Sequence, residues 1–347
     1  MSVQIRIGDC RELLRAMPDE SVHCVVTSPP YWGLRDYGVV GQIGMERTLG
    51  EHLAVLTDVF REVKRVLRKD GTVWLNCGDS YATHPNGRSA ADVKLLGNDD
   101  RTFRDKPFST VGGIYDPTSL RTGGGDNKGN RSSKETGRIH AAGFLKPKDL
   151  CMIANRLAIA LQDDGWWVRS EIIWHKPNPM PESIKDRPGS CHEKMWLLSK
   201  SERYYYDHEA VQVSANPEYA ARYNYDFGGA KAVRRMASGE SDIIDGPREF
   251  TGKANLRNVW TIPTAAFSEA HFATFPPALV EPCIKAGCPE GGTVLDPFGG
   301  AGTVGLVADR LQRHAILMEL NPEYAAIAER RLRQDGGMFI DVQTVAA

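Results

Sequence analysis

The sequence predicts an α/β protein with a mostly parallel sheet, in which a ligand-binding half comes last in the chain. Three observations predict it: a strand, helix, strand opening over Val3 to Val26; an amphipathic helix running into the apolar segment GTVWLNCG; and a C-terminal unit that reads strand, Gly-rich turn, helix, strand, acidic residue, helix. With 347 residues, 41% hydrophobic and 25% charged, the chain has ordinary globular composition. It is long enough for one large domain with an insertion, or for two domains.

In chain order, Val3 to Ile7 alternates as a strand, Arg11 to Met17 reads as a helix, and Ser21 to Val26 is apolar up to the breaker Pro29-Pro30. The next helix places Leu53, Leu56, Phe60, Val63 and Leu67 at three- and four-residue spacing, has basic residues in its last turn, and is expected to stop at Gly71. GTVWLNCG then reads as a buried strand. From Thr83 to Lys148 periodicity disappears, and ten glycines accompany 12 Lys+Arg against 7 Asp+Glu, a local charge of +5. Both a solvated excursion and a phosphate-contacting loop fit that composition. A helix from Asp149 to Gln162, carrying Leu150, Ile153, Leu157 and Leu161, closes at Gly165. The segments WWVRSEIIW and KMWLLSK read as strands, and YYYD as the start of another. From Asp207 to Asn258 the chain is irregular, with Arg222, Lys231, Arg234 and Arg235 interleaved with Tyr219, Tyr223, Tyr225 and Phe227. Bases with aromatics suit nucleic-acid contacts, and a plain surface subdomain fits equally well.

The net charge of -1 means that affinity for nucleic acid must come from local patches rather than from a global field. No apolar stretch approaches the roughly 20 residues of a membrane helix, and MSVQIRIGDC lacks a leader pattern. The seven cysteines never fall in CxxC spacing and no HExxH pattern accompanies them. The expectation is a cytoplasmic protein with reduced thiols and no metal site.

Two motifs carry chemistry. Gly300 to Gly305, GAGTVG, satisfies GxGxxG and has Glu319 downstream, an arrangement that sets backbone donors and a helix N-terminus against a ligand and a carboxylate at the neighbouring strand tip. Only about forty residues follow it, so earlier strands must complete the sheet. The second motif is TSPPYW, Thr27 to Trp32. Its two prolines fix φ and leave carbonyls free, while Ser28 supplies a hydroxyl and Tyr31 a flat ring. Such a loop suits a planar, amine-bearing substrate; the plain alternative is a Pro-Pro turn closed by a core aromatic.

Together these motifs resemble the beta group of amino-directed DNA methyltransferases, in which (S/D/N)PP(Y/F) precedes DPFxGxGT. The matching residues are SPPY at Ser28, Pro29, Pro30 and Tyr31, and DPFGGAGT at Asp296 to Thr303. IIWHKPNPMPES, the HEK segment at His192, NVWTIP, HFATFP and Gly8-Asp9 extend the likeness. The resemblance implies a Rossmann-like methyltransferase fold with a mostly parallel seven-stranded sheet in permuted order. Residues 1–82 would form the catalytic half and 83–148 a basic Gly-rich insertion. The remaining catalytic-half strands and helix would lie in 149–206, a target-recognition region in 207–258, and the S-adenosylmethionine-binding half in 259–347.

The resemblance further implies that Ser28, Pro29, Pro30 and Tyr31 address the base. Asp296, Phe298, Gly300 and Gly302 would hold the methionine part of the cofactor, with Pro297 and Thr303 also cofactor-binding, Glu319 its ribose hydroxyls and Asp9 its adenine amine. His271 to Pro276, with His271 and Phe275, would cover the cofactor carboxylate. For each acid a helix cap or surface charge is the plain alternative. The implied partner is double-stranded DNA, with the 4-amino group of cytosine favoured by SPPY over the 6-amino group of adenine. A homodimer and a cognate restriction nuclease rest on family analogy alone. Cys283, in a Pro-Cys pair, is read as a buried small hydrophobe rather than a nucleophile. Rival readings are a nicotinamide-dependent oxidoreductase built on GxGxxG, and a DNA-binding module without turnover.

Overall fold

The computed structural model describes residues 1–33, 39, 41–82, 144–216, 251–265, 275–336 and 340–346. The chain divides into two compact units, Met1–Tyr206 with Asn258–Ala347, and Asp207–Arg257. The large unit begins with β1 (Ser2–Ile7), α1 (Cys10–Arg15), β2 (Val22–Thr27), α2 (Leu49–Val66) and β3 (Leu67–Cys77). It continues with α3 (Ile153–Asp163), β4 (Trp167–His175) and β5 (His192–Ser199). The smaller unit contains β6 (Val213–Ser214) and β7 (Lys253–Ala254), paired antiparallel. The large unit resumes with β8 (Val259–Thr261), α4 (Pro277–Gly287), β9 (Thr293–Asp296), α5 (Thr303–Arg310), β10 (His314–Glu319), α6 (Pro322–Gly336) and β11 (Asp341–Ala346).

Nine strands form one sheet in the order β11-β1-β10-β9-β2-β3-β5-β4-β8. Within this sheet, among the described residues, only the pairings of β5, with β3 and β4, are antiparallel. The expected seven strands are therefore present in permuted order, and β11 and β8 add one edge strand at each end. Because the strands alternate faces, Val25, Val73, Leu75, Leu198, Leu295 and Met318 meet Leu13, Leu14, Leu56, Phe60, Leu157 and Leu161 of α1, α2 and α3 in one core. On the other face α4 sits so close that a Cβ at Gly287 would lie 2.6 Å from Trp74 Nε1. Parallel strands need both faces covered, and the near-continuous burial of β2 and β3 follows from that.

Three expected boundaries differ. The helix α2, started by a Thr48 and Glu51 capping box, ends at Val66 and passes directly into β3, so Gly71 lies inside the strand instead of stopping the helix. There a Cβ would lie 2.5 Å from the Leu67 side chain, opposite the register shift between Val22 and Cys24. The α3 helix starts at Ile153, later than Asp149, because Met152 is left-handed (φ 56) and Asp79 Oδ1 accepts from Ile153 N at 3.1 Å. YYYD forms no strand; Tyr205 N instead donates to Asp70 O and Tyr206 stacks near Trp74. All seven cysteines are unpaired, and Cys283 is fully buried in α4 with Sγ 3.3 Å from Met195 Sδ. Burial pushes its thiol well above the usual range. Among the described residues no helix is long and apolar enough to cross a membrane.

Candidate active site

In a parallel sheet, ligands collect beyond the carboxyl ends of the strands, where neighbouring connections leave in opposite directions. Here β9 lies between β10 and β2. The chain leaving β9 returns through α5 to β10 on one side, whereas β2 connects through α2 to β3 on the other. The two sequence motifs leave the sheet from these adjacent strand ends: SPPY directly follows β2, and DPFGGAGT begins at the last residue of β9. A hydrogen bond from Thr27 Oγ1 to Asp296 Oδ1, 2.6 Å long and spanning 269 residues of sequence, joins them. Thr27 is completely buried and Asp296 is 1% exposed.

On the Gly-rich side, Asp296 Oδ1 also accepts from Phe298 N at 3.1 Å, which turns the loop tightly after the strand. Burial pushes the Asp296 carboxyl up to about 7, and hydrogen bonds from Thr27 and Phe298 offset that only in part. Gly300 N donates to Glu319 Oε2 and Asn321 N to Glu319 Oε1, both at 2.8 Å, so the carboxylate at the tip of β10 braces the loop. Burial raises the Glu319 carboxyl against those donors. Gly302, the N-cap of α5, has φ +78, and a Cβ there would lie 2.9 Å from Ala328 Cβ. Only glycine satisfies both the left-handed backbone and the close approach of α6. Pro297 follows Asp296 into this turn, and Thr303 opens α5 with its hydroxyl accepting from Arg331 at 2.8 Å.

Asp9 lies two residues beyond β1 as the N-cap of α1, beside Gly8, whose N–H donates to Glu319 O at 2.9 Å. Its Oδ1 caps α1 by accepting from Arg11 N, and both oxygens accept from the Arg11 guanidinium. Burial opposes its charge, but these bonds and the Arg11 charge outweigh that and hold the carboxyl below the usual range. The helix-cap alternative is thus realised at Asp9. Phe275 is half-buried just before the Pro276 N-cap of α4. His271 lies outside the described residues, as do residues 83–143 of the insertion and the base and aromatic cluster of residues 219–235.

On the SPPY side, Ser28 Oγ lies 3.5 Å from Tyr31 OH, and Tyr31 OH donates to Glu193 Oε2 at 3.0 Å. Burial, with the Glu193 charge beside it, pushes the Tyr31 phenol well above its usual range, so it remains a neutral donor. The Tyr31 ring rests on the β3 end, where a Cβ at Gly78 would be 2.7 Å from its Cε2. Trp32 is buried and donates through Nε1 to Glu46 O at 3.0 Å, while Gly33 N donates to Gly44 O at 2.7 Å. Glu46 in turn accepts from Gly44 N and pairs with buried His52 at 2.8 Å, which anchors the loop over SPPY to α2. Burial raises the Glu46 carboxyl, but the His52 contact outweighs it and the group ends below its usual range. Glu46, His52, Asn76, Lys176 and Glu193 were not singled out as site residues in the sequence. HEK was visible only as part of a family string.

Residues 22–330, which include both motifs, match the N6_N4_Mtase family, described as DNA methylase. The chain is 43% identical to the Type II methyltransferase M.XycI of Xanthomonas campestris pv. cyanopsidis over 96% of its own length and 89% of that protein's. It is 42% identical to M.Cfr9I of Citrobacter freundii, over 94% of this chain and 86% of that one. Among solved structures, the PvuII DNA methyltransferase, described as cytosine-N4-specific, superposes with a TM-score of 0.58 at 20% identity, covering 98% of this chain and 95% of that one. A protein of Thermus thermophilus, described as a DNA modification methylase and crystallised with S-adenosyl-L-methionine, gives a TM-score of 0.55 at 21% identity over 99% of both chains. These structural likenesses show the Rossmann-like methyltransferase fold. With the family match spanning most of the chain and both motifs joined at adjacent strand ends, the chain belongs to the N6_N4_Mtase family of DNA methylases, enzymes that use S-adenosylmethionine as methyl donor.

Proposed function

We propose that this enzyme is a site-specific methyltransferase of double-stranded DNA that acts on the N4 amine of a flipped-out cytosine. The observation that carries the reading is the Thr27 to Asp296 hydrogen bond, which sets the SPPY loop against the DPFGGAGT loop. Relatives above 40% identity named as Type II methyltransferases support a site-specific enzyme within a restriction-modification pair, with a cognate nuclease as partner. Ser28 in SPPY supports cytosine. The compact unit Asp207–Arg257 and the basic insertion 83–148 would supply the recognition surface.

The residues present fit the donor. A Cβ at Gly300 would meet, among the described residues, only Phe298 O at 3.9 Å, so the loop backbone is open to close approach. Asp296, Phe298, Gly300 and Gly302 would hold the methionine part, Glu319 the ribose hydroxyls and Asp9 the adenine amine. When bound, S-adenosylmethionine supplies a methyl group on a sulfonium already activated as a leaving group. The chain has two tasks. It must extract the base from the stack, at a cost of about a few kcal/mol, and orient its amine. An exocyclic amine conjugated to its ring is a poor nucleophile. Ser28 Oγ and the Pro29 carbonyl would accept its protons and favour the pyramidal geometry that exposes the lone pair, while the Tyr31 ring would stack on the base. Positioning supplies much of the rest.

The deciding experiment is nucleoside analysis of DNA methylated by the enzyme. N4-methylcytosine within one recognition sequence is expected; N6-methyladenine would overturn the base assignment alone, and absence of label on any DNA would overturn the reading.

Two further outcomes follow from the geometry. Asp296 holds a proton in the folded state, up to about 7, that the unfolded chain has already lost. Its contribution to stability therefore declines as pH rises from the ordinary carboxylate range toward 7. A cationic donor favours the ionised carboxylate, so donor affinity should rise as pH rises through that value, with proton release below it. Calorimetry in buffers of different ionisation enthalpy reads this directly, and Asp296→Asn should abolish the dependence. Separately, Gly78→Ala puts a methyl group 2.7 Å from the Tyr31 ring. It should slow transfer about tenfold or more with donor affinity kept, because a displacement of about 1 Å at a positioning group is costly; single-turnover kinetics would show it.

A further inference from the structure

The antiparallel strand β5 begins where its neighbours β3 and β4 end, so its second residue, Glu193, arrives beside the SPPY loop. Donors from three other segments converge on this one carboxylate. Tyr31 OH, on the loop after β2, donates to Oε2 at 3.0 Å, and Asn76 Nδ2, on β3, donates to Oε2 at 3.2 Å. Lys176 Nζ, just beyond β4, pairs with Oε1 while lying 4.3 Å from the centre of the Trp174 ring. Asn76 is 1% exposed, and its amide is fixed further by donating to Lys194 O at 3.2 Å. An acceptor-only side chain satisfies all three converging donors, whereas an amide of the same shape must turn its N–H group toward at least one of them and loses the charge that pairs with Lys176.

We propose that Glu193, charge-balanced by Lys176, is the positioning residue that locks Tyr31 and thereby sets Ser28 for the target amine. This rests on the methyltransferase reading above and extends it to a residue that touches neither donor nor base. The chain of contacts is short: Ser28 Oγ meets Tyr31 OH, and Tyr31 OH is held by Glu193. If that bond is lost, Tyr31 OH keeps only the longer contact to Asn76 Oδ1 at 3.4 Å, and the Ser28 hydroxyl beside it is held less firmly. The loss then appears in the transfer step rather than in donor binding.

The test compares wild type, Glu193→Gln, Tyr31→Phe and the double variant. Each is measured for single-turnover methyl transfer to duplex DNA, donor affinity by calorimetry, and thermal midpoint. Wild-type transfer establishes the underlying reading; if wild type transfers nothing, that reading fails before the variants are considered. Given wild-type transfer, Glu193→Gln should slow the step by about tenfold or more with donor affinity within about twofold. Tyr31→Phe should slow it similarly, and the double variant should be no slower than the slower single variant, because both remove the same anchor. Glu193→Asp should recover part of the rate. Unchanged transfer in Glu193→Gln would overturn the proposal. So would losses that multiply in the double variant, or a parallel fall in donor affinity and thermal midpoint, which mark a purely structural acid.

Discussion

Ser28→Ala is expected to lower the single-turnover rate of methyl transfer by roughly 10²–10³-fold while donor affinity stays within about twofold. The argument is geometric. Ser28 is the first residue after β2, and its hydroxyl is held beside Tyr31 OH at 3.5 Å, on the opposite side of the Thr27 to Asp296 bond from the Gly-rich loop. It would accept a proton from the amine most strongly when the nitrogen pyramidalises, so its removal costs the transition state more than any ground-state complex. Tyr31→Ala should act in the same direction. Loss of a stacked aromatic costs about 1–3 kcal/mol per base, and the truncation leaves Glu193 without its 3.0 Å donor.

Asp296→Ala should show the reverse division, with donor affinity falling roughly a hundredfold, in keeping with about 2–5 kcal/mol for truncating a buried hydrogen-bonded charge. The variant leaves Thr27 Oγ1 and Phe298 N, both bonded to Oδ1, without their acceptor, so the turn into the Gly-rich loop also loosens. Asp296→Asn separates these causes. An amide oxygen can keep both bonds while removing the charge, so the fraction of the affinity loss that persists in Asn is the electrostatic part. Isothermal titration with the donor reads both variants. If the Ser28 and Asp296 variants lost donor affinity equally, the division of labour between the two loops would be wrong.

The C-terminal Gly-rich unit was legible because it is contiguous. The strand, turn, helix and strand from Thr293 to Glu319 carry their own glycine and acid signals within one unit, and the structure places them as β9, α5 and β10. The SPPY turn was legible for the same reason. What joins them was not. Thr27 stands in plain view before SPPY, yet its partner lies 269 residues away, and no local pattern reports a bond between strands adjacent only in the folded sheet. Glu193 was missed because it lies at the start of a strand, where a search for acids at strand ends does not look; only the reversed direction of β5 brings it to the carboxyl edge. Glu46 and His52 brace the SPPY loop across a turn into α2, and a lone His on an otherwise apolar helix face gives no hint of that. Gly71 misled because glycine is both a helix stop and a strand bulge, and here close packing on Leu67 decided for the strand.

A crystal structure of the enzyme with S-adenosylhomocysteine and duplex DNA carrying its recognition sequence would show where the sulfur and the target amine lie relative to the Thr27 to Asp296 seam. The expected result is the sulfur over the Gly300 loop facing Ser28, with an extruded base whose amine contacts Ser28 Oγ and the Pro29 carbonyl. A base still stacked in the helix, or extruded into a cavity away from Ser28 while the sulfur sits at Gly300, would contradict it.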